Sequence, residues 1–205
     1  MNRVEIKQEA KKILEDNIFN IWKPILVSMF FAFIYSLLLI YLGIDENHEY
    51  YLFYEFIFSL FTIPLSVGEV YYMLNLVRKK DYDVKNVFKF YGDFVFVVCV
   101  NLLIGIIVFS GTILLIIPGI IASLMFVMTN YIIADGSSGI INTLRKSKDM
   151  MKGYKSDYLM FCLSFSGWII LSLFTFGIAL IYVVPYVIIS QALYYDKLKQ
   201  IKEKY

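Results

Sequence analysis

The chain has 205 residues, 60% of them apolar and 18% aromatic, with only 18% charged and a formal net charge of +2; its mean hydropathy is +0.68. Soluble domains carry about 25% charged and 45–50% apolar residues. The composition excludes a soluble enzyme, a nucleic-acid-binding domain and a disulfide-rich secreted module, and it points to a polytopic membrane protein.

Residues 1–23 read as an amphipathic, interfacial helix. Ile6, Ala10, Ile13, Leu14, Ile18, Ile21 and Trp22 recur at helical spacing, while Glu5, Glu9, Lys12, Glu15 and Asp16 take the other side. Asn17 is its expected end. Pro24–Ile44 contains no Asp, Glu, Lys or Arg. About 20 apolar residues cross the hydrocarbon core, so this is a first span near 24–44. A second span near 56–77 is interrupted only by Glu69. A second amphipathic helix follows, with Val84, Val87, Phe88 and Tyr91 on one face, Asp83 as N-cap and Gly92 at its end. Phe94–Ala134 is uncharged and about twice a span; Pro118-Gly119 divides it into spans near 94–116 and 119–135. The third amphipathic helix, capped by Ser137 or Ser138 and ended by Gly153, carries Ile140, Ile141, Leu144 and Met151 on one face. Arg145, Lys146, Lys148, Asp149 and Lys152 occupy its other sides. Tyr158–Tyr195 is again uncharged and divides at Gly177 into spans near 157–175 and 179–195, leaving a basic tail over 196–205.

Charge sets the orientation. All 19 Lys and Arg fall in residues 1–23, 78–93, 136–156 and the tail, whereas the loop after the first span holds Asp45, Glu46, Glu49 and Glu55 and no base. Basic residues stay on the cytoplasmic side of short loops. Six spans with both ends basic put both termini in the cytoplasm, in the cell membrane, with no cleaved signal peptide expected. The expected fold is all-α: a single membrane domain over 1–205, a polytopic bundle of six transmembrane helices in three hairpins, each preceded by a cytoplasmic amphipathic helix. Those helices either lie among the headgroups or pack onto the ends of the bundle. The one-sided basic charge implies contact with the anionic inner leaflet. Asn75, Asn130 and Gln191 recur shortly before the inner end of each returning span, with Pro64 and Pro118 upstream of the first two, which reads as a threefold internal repeat. Cys99 and Cys162 read as small packing residues rather than a disulfide.

The second half also carries a set of short motifs. These are Ile117-Pro118-Gly119-Ile120-Ile121, Met128, Tyr131, Ala134-Asp135, Ser147, Met150-Met151-Lys152-Gly153, Lys155, Asp157, Leu163-Ser164-Phe165, Gly167-Trp168, Thr175, Gly177 and Pro185-Tyr186. In these it resembles domain-of-unknown-function family 975, a group of bacterial multi-pass membrane proteins. It is distantly similar to the membrane domain attached to some glycerophosphodiester phosphodiesterases. The resemblance covers roughly residues 110–196, with a weaker echo in Pro64–Arg78 and the N-terminal helix. The family carries Tyr-Ser before the Met that matches Met128 and an aromatic before Asp157; this chain has Phe126-Val127 and Ser156 there. The resemblance implies a multi-pass membrane protein and supplies no reaction. Hydrolysis in the phosphodiesterases belongs to their separate soluble domain, so no catalytic residue carries over.

Glu69 is the one formal charge inside a span, ~12 Å from its inner end at 1.5 Å per residue. An intramembrane carboxylate faces a bundle interior or a watery cavity. It reads either as a protonatable or cation-binding group in a translocation path, or as a structural Glu hydrogen-bonded to Tyr or Asn neighbours or reaching toward interface water. Asn75, Asn101, Asn130 and Gln191 either line a polar vestibule with it or act as interhelical glue worth ~0.6 kcal/mol each. The single histidine, His48, lies in the acidic loop with Asp45, Glu46 and Glu49, a weak cation cluster or simply a solvated loop. No metal motif, P-loop or catalytic triad is present, so neither a cofactor nor an enzymatic activity is expected. Ser28, Ala32 and Ser36 form a small-residue stripe for internal packing or dimerisation. The expected function is a non-enzymatic accessory or envelope-associated factor contacting lipid, a partner membrane protein or a second copy of itself, with no nucleic acid. The alternative is a small transporter or channel using Glu69.

Overall fold

The computed structural model describes residues 2–203, and among these the chain is helical with no strand. Helix α1 (Arg3–Leu42) merges the amphipathic segment and the first expected span. The Asn2 side chain caps it by accepting from the Glu5 amide at 3.3 Å, and Gly43, at φ 66°, ends it in the left-handed conformation. Asn17 kinks this helix without stopping it. Its backbone leaves helical geometry (φ −132°, ψ 20°) and its Nδ2 donates to the Ile13 carbonyl at 3.1 Å, the local competition that weakens a helix from within.

Helix α2 (Tyr51–Val77) starts a turn earlier than the expected 56. The second amphipathic segment is a 3-10 helix over Val84–Tyr91, with Asp83 as its N-cap, accepting from the Lys85 amide at 3.0 Å. Gly92 ends it in right-handed geometry, φ −62°, so the expected left-handed stop is not used. Helices α3 (Phe94–Leu114) and α4 (Ile116–Phe126) are separated by extended Leu115. The divider therefore precedes Pro118-Gly119. Pro118 instead sits in the first turn of α4, where an amide has no partner to lose. Gly119 allows α4 to cross α3 closely, since a Cβ there would lie 2.2 Å from Thr112 Oγ1 and 2.9 Å from its Cα.

The fourth and fifth expected spans are each broken in two. Helix α5 (Thr129–Ala134) follows a turn at Val127-Met128. Helices α7 (Lys155–Leu163) and α8 (Ser166–Phe174) are separated at Ser164-Phe165. Between these pairs, α6 (Ile140–Met150) begins at Gly139, φ 84°, and not at a serine cap. Of its expected face, Ile140, Leu144 and Met151 pack against the core and Ile141 does not. Thr143 and Ser147 are fully buried while Ile141 is 72% exposed. Phe176 and Gly177, both at positive φ, reverse the chain into α9 (Leu180–Glu203).

Five stretches are long and apolar enough to cross a membrane: α1, α2, α3, α4–α5 taken together and α7–α8 taken together. Helix α9 is long enough but less apolar. The core gathers toward one end of the helices. It joins Ile6–Ile21 of α1, Leu65–Leu76 of α2, Met128–Ala134, Tyr158–Phe165 and Tyr186–Leu198. At the other end α1, α3, α4 and α8 present apolar side chains outward, as Phe33, Phe109, Ile116 and Phe174 do.

Candidate functional site at the charged end

The N-terminal part of α1 packs on α9 with Ile6, Ala10 and Leu14 fully buried. Lys197 of α9 reaches Glu9 at 2.7 Å and Glu5 at 3.4 Å, and Arg3 lies 3.5 Å from Asp157 at the start of α7. Lys7 Nζ donates to the Ser164 carbonyl at 3.0 Å and sits 4.2 Å above the Phe165 ring. It thereby satisfies a carbonyl that the break between α7 and α8 leaves without a helical partner. Lys202 donates to the Lys152 carbonyl at 3.3 Å. These contacts, with those of Arg78 below, bring the basic segments of the sequence to one end of the molecule.

At its centre stands Arg78, immediately after α2. Its guanidinium grips Asp135 through two hydrogen bonds of 2.5 and 3.1 Å, and its Nε donates to Asp196 at 2.7 Å. Asp135, just past α5, also accepts from Tyr195 at 2.8 Å and Lys199 at 2.7 Å. Tyr195 stacks on Tyr131 with ring centroids 5.0 Å apart. Burial pushes the Asp135 carboxyl up, but the hydrogen bonds from Arg78, Lys199 and Tyr195 outweigh it and hold the group at about 2. This cluster ties α2, α5 and α9 together and was missed in the sequence. Its signal was present, since Arg78, Asp135 and Asp196 are each the first charge after a long apolar stretch.

Glu69 lies away from the cluster on α2 and accepts a hydrogen bond from Ser28 of α1. Ala32 and Ser36 are exposed, so of the small-residue stripe only Ser28 contributes to this contact. Asn75 is buried, Asn101 donates to the Val97 carbonyl of its own helix at 3.0 Å, and Gln191 is half-buried. Thr129 Oγ1 and Asn130 Oδ1 are buried with no hydrogen-bond partner among the described residues. No hydrogen bond joins Glu69 to any of the four amides among those residues. His48 accepts from the Tyr50 amide at 3.2 Å, and no group of metal-binding side chains is assembled among the described residues. Cys99 and Cys162 are free and half-buried.

Two of the cavities at the charged end are lined in part by α6. The first, about 510 Å³, is lined by Asp135, Lys146, Asp149, Lys199, Lys202 and Glu203 among others, balanced in sign. The second, about 470 Å³, is lined by Lys148, Asp149, Lys152, Gly153, Lys155 and Ser156 and is net positive.

Residues 106–202 match the family described as Protein of unknown function (DUF975). The DUF975-like stretch begins within α3 and runs to the end of α9. It therefore includes Asp135, Asp196, Lys199 and, apart from Glu203, the lining of both cavities, while Glu69 and Arg78 lie outside it. No curated protein and no solved structure matches the chain.

Proposed function

We propose that this is a non-enzymatic integral protein of the bacterial cell membrane. In this reading six spans form three hairpins with both termini cytoplasmic, and the molecule acts as an accessory or envelope-associated factor that contacts anionic lipid or a partner membrane protein. The observation that carries the reading is the gathering of the basic segments at one end, where Arg78, Lys197 and Lys199 are paired while Lys148, Lys152 and Lys155 remain around an open cavity. A bilayer with an anionic inner leaflet attracts such a surface by ~1 kcal/mol for each well-placed base. The amphipathic segments contribute by docking their apolar faces on the bundle, so their polar faces and lysines are what the headgroups meet.

A transporter reading draws on two observations. One is the Ser28–Glu69 hydrogen bond between the first two apolar helices. The other is the pair of interruptions at Val127-Met128 and Ser164-Phe165, a feature that transporters use to line substrate sites. Reconstitution in liposomes separates the two. The accessory reading expects anionic phospholipid retained through gentle purification and no flux of ions or small solutes. Flux that falls at least tenfold in Glu69→Gln would establish the transporter reading and overturn the accessory one.

A further inference from the structure

The second cavity carries a positive charge that the molecule does not neutralise. The ion pairs at this end engage Arg3, Arg78, Lys197 and Lys199. Among the described residues Lys148, Lys152 and Lys155 form no salt bridge and no side-chain hydrogen bond, although all three line the same cavity of about 470 Å³. Asp149 is its one acidic lining residue. Asp157, in the first turn of α7, is engaged elsewhere, with Tyr194 donating to it at 2.9 Å and Arg3 lying 3.5 Å away.

The backbone adds to the same polarity. Gly153, at φ 84°, reverses the chain, and Tyr154 begins α7 without a side-chain cap. The first amides of α7, at Lys155 and Ser156, thus lack an intrahelical carbonyl and carry the positive end of the helix dipole. Lysines, a hydroxyl and unspent amides around one cavity are the donor set for a phosphate group. One turn further along α7 the surface becomes apolar: Leu159, Met160 and Leu163 are 37%, 53% and 54% exposed. Met160 and Leu163 follow Ser156 at helical spacing, so an apolar lane runs directly from the mouth of the cavity.

We infer that this cavity is a binding site for the phosphate of an anionic phospholipid, whose acyl chain lies along Leu159, Met160 and Leu163. The inference deepens the accessory reading above and rests on it, because the lane is hydrocarbon-facing only if α7–α8 enters the membrane here. A soluble phosphate compound would share the headgroup chemistry but would leave the lane unused.

The test is native mass spectrometry of the full chain in detergent, titrated separately with phosphatidylglycerol and phosphatidylcholine. The wild type is expected to retain phosphatidylglycerol in preference. Lys152→Gln/Lys155→Gln and, independently, Ser156→Glu are each expected to weaken that retention about tenfold without shifting the melting temperature. The control pair Lys80→Gln/Lys85→Gln, on the 3-10 helix and its approach, leaves it unchanged. Millimolar inorganic phosphate does not displace the lipid. Undiminished retention in both cavity variants overturns the site while leaving the wider reading intact. Equal retention of the two lipids overturns the site and, with it, the anionic-lipid half of the wider reading. Displacement by inorganic phosphate would make the ligand a soluble one and overturn the lipid assignment.

Discussion

Asp135 is the residue on which the charged end turns. One carboxylate takes four hydrogen bonds from Arg78, Tyr195 and Lys199, with the Arg78 side chain only 18% exposed and its own 13%. The carboxyl is held at about 2, below the ordinary range of an aspartate. A carboxylate whose pKa is depressed by folding contributes stability that is complete above the unfolded value and is lost as pH falls toward the folded one. For a shift of this size that is about 2 kcal/mol, vanishing between roughly pH 4 and pH 2. Asp135→Asn removes the same interaction at neutral pH and leaves Arg78 with Asp196 alone, so it should destabilise the protein by about 2–3 kcal/mol. Thermal unfolding in detergent checks both statements. The variant should melt lower than the wild type at pH 7, and the gap should close as the pH falls from 4 toward 2. A variant that melts with the wild type at pH 7 would show that the cluster holds nothing together.

At the scale of elements, the 3-10 helix is fixed by close approach to α2. A Cβ on Gly68 would stand 1.8 Å from the Val87 carbonyl oxygen and 2.5 Å from its carbon; these are backbone atoms, so the whole segment must move. Val87 is fully buried, and Tyr91 donates to the Phe61 carbonyl at 3.0 Å. Gly68→Ala should therefore cost about 1–3 kcal/mol of overpacking and open the segment to trypsin at Lys85 and Lys89; unaltered cleavage would remove the argument. The same element shows what the sequence discloses and what it conceals. The apolar period, the Asp83 cap and the glycine turns at 153 and 177 are local chemistry and could be read directly. Of the three interruptions, the one at Leu115 was expected close by, at Pro118-Gly119; those at Val127-Met128 and Ser164-Phe165 could not be read, because neither pair contains proline or glycine. Two of them are supported from elsewhere in the chain. Ser147 donates to the Met125 carbonyl at the end of α4, at 3.0 Å, and Lys7 serves Ser164 from 157 residues away. For the same reason α6 turns Ser147 inward beside Ile140, Leu144 and Met151, since a helix end with a free carbonyl lies among its apolar partners. Glu69 was visible as a lone charge, but its partner Ser28 looked like one residue of a packing stripe.

The architecture of the whole molecule follows from which ends meet. Arg3 lies near Asp157, and Lys197 lies 2.7 Å from Glu9, so the two ends of the chain share one end of the bundle. A chain that leaves and returns on one face of a bilayer crosses it an even number of times. Five stretches are apolar enough to cross, and the proposed six-span topology needs a partner to the fifth. Helix α9 runs back along α7–α8, with Tyr194 against Phe161, Tyr186 against Phe165 and Tyr182 against Trp168. In the proposed topology the two therefore form the last hairpin. The amides of Thr175, Phe176, Gly177, Ile178 and Leu180 all reach backbone carbonyls, and that of Ala179 reaches Thr175 Oγ1. Phe174, Phe176 and Ile178 nevertheless stand 79%, 97% and 71% exposed. Polar backbone without water must be satisfied internally, and the six amides of this turn are. In a background with Cys99 and Cys162 replaced, an impermeant thiol reagent is expected to label Asn47→Cys in intact cells. It should label Ser138→Cys only after permeabilisation, and Phe176→Cys in neither condition. Labelling of Asn47→Cys and Ser138→Cys from the same side would break the parity argument. Labelling of Phe176→Cys from the inner side alone would leave the last two stretches short of crossing and reduce six spans to four.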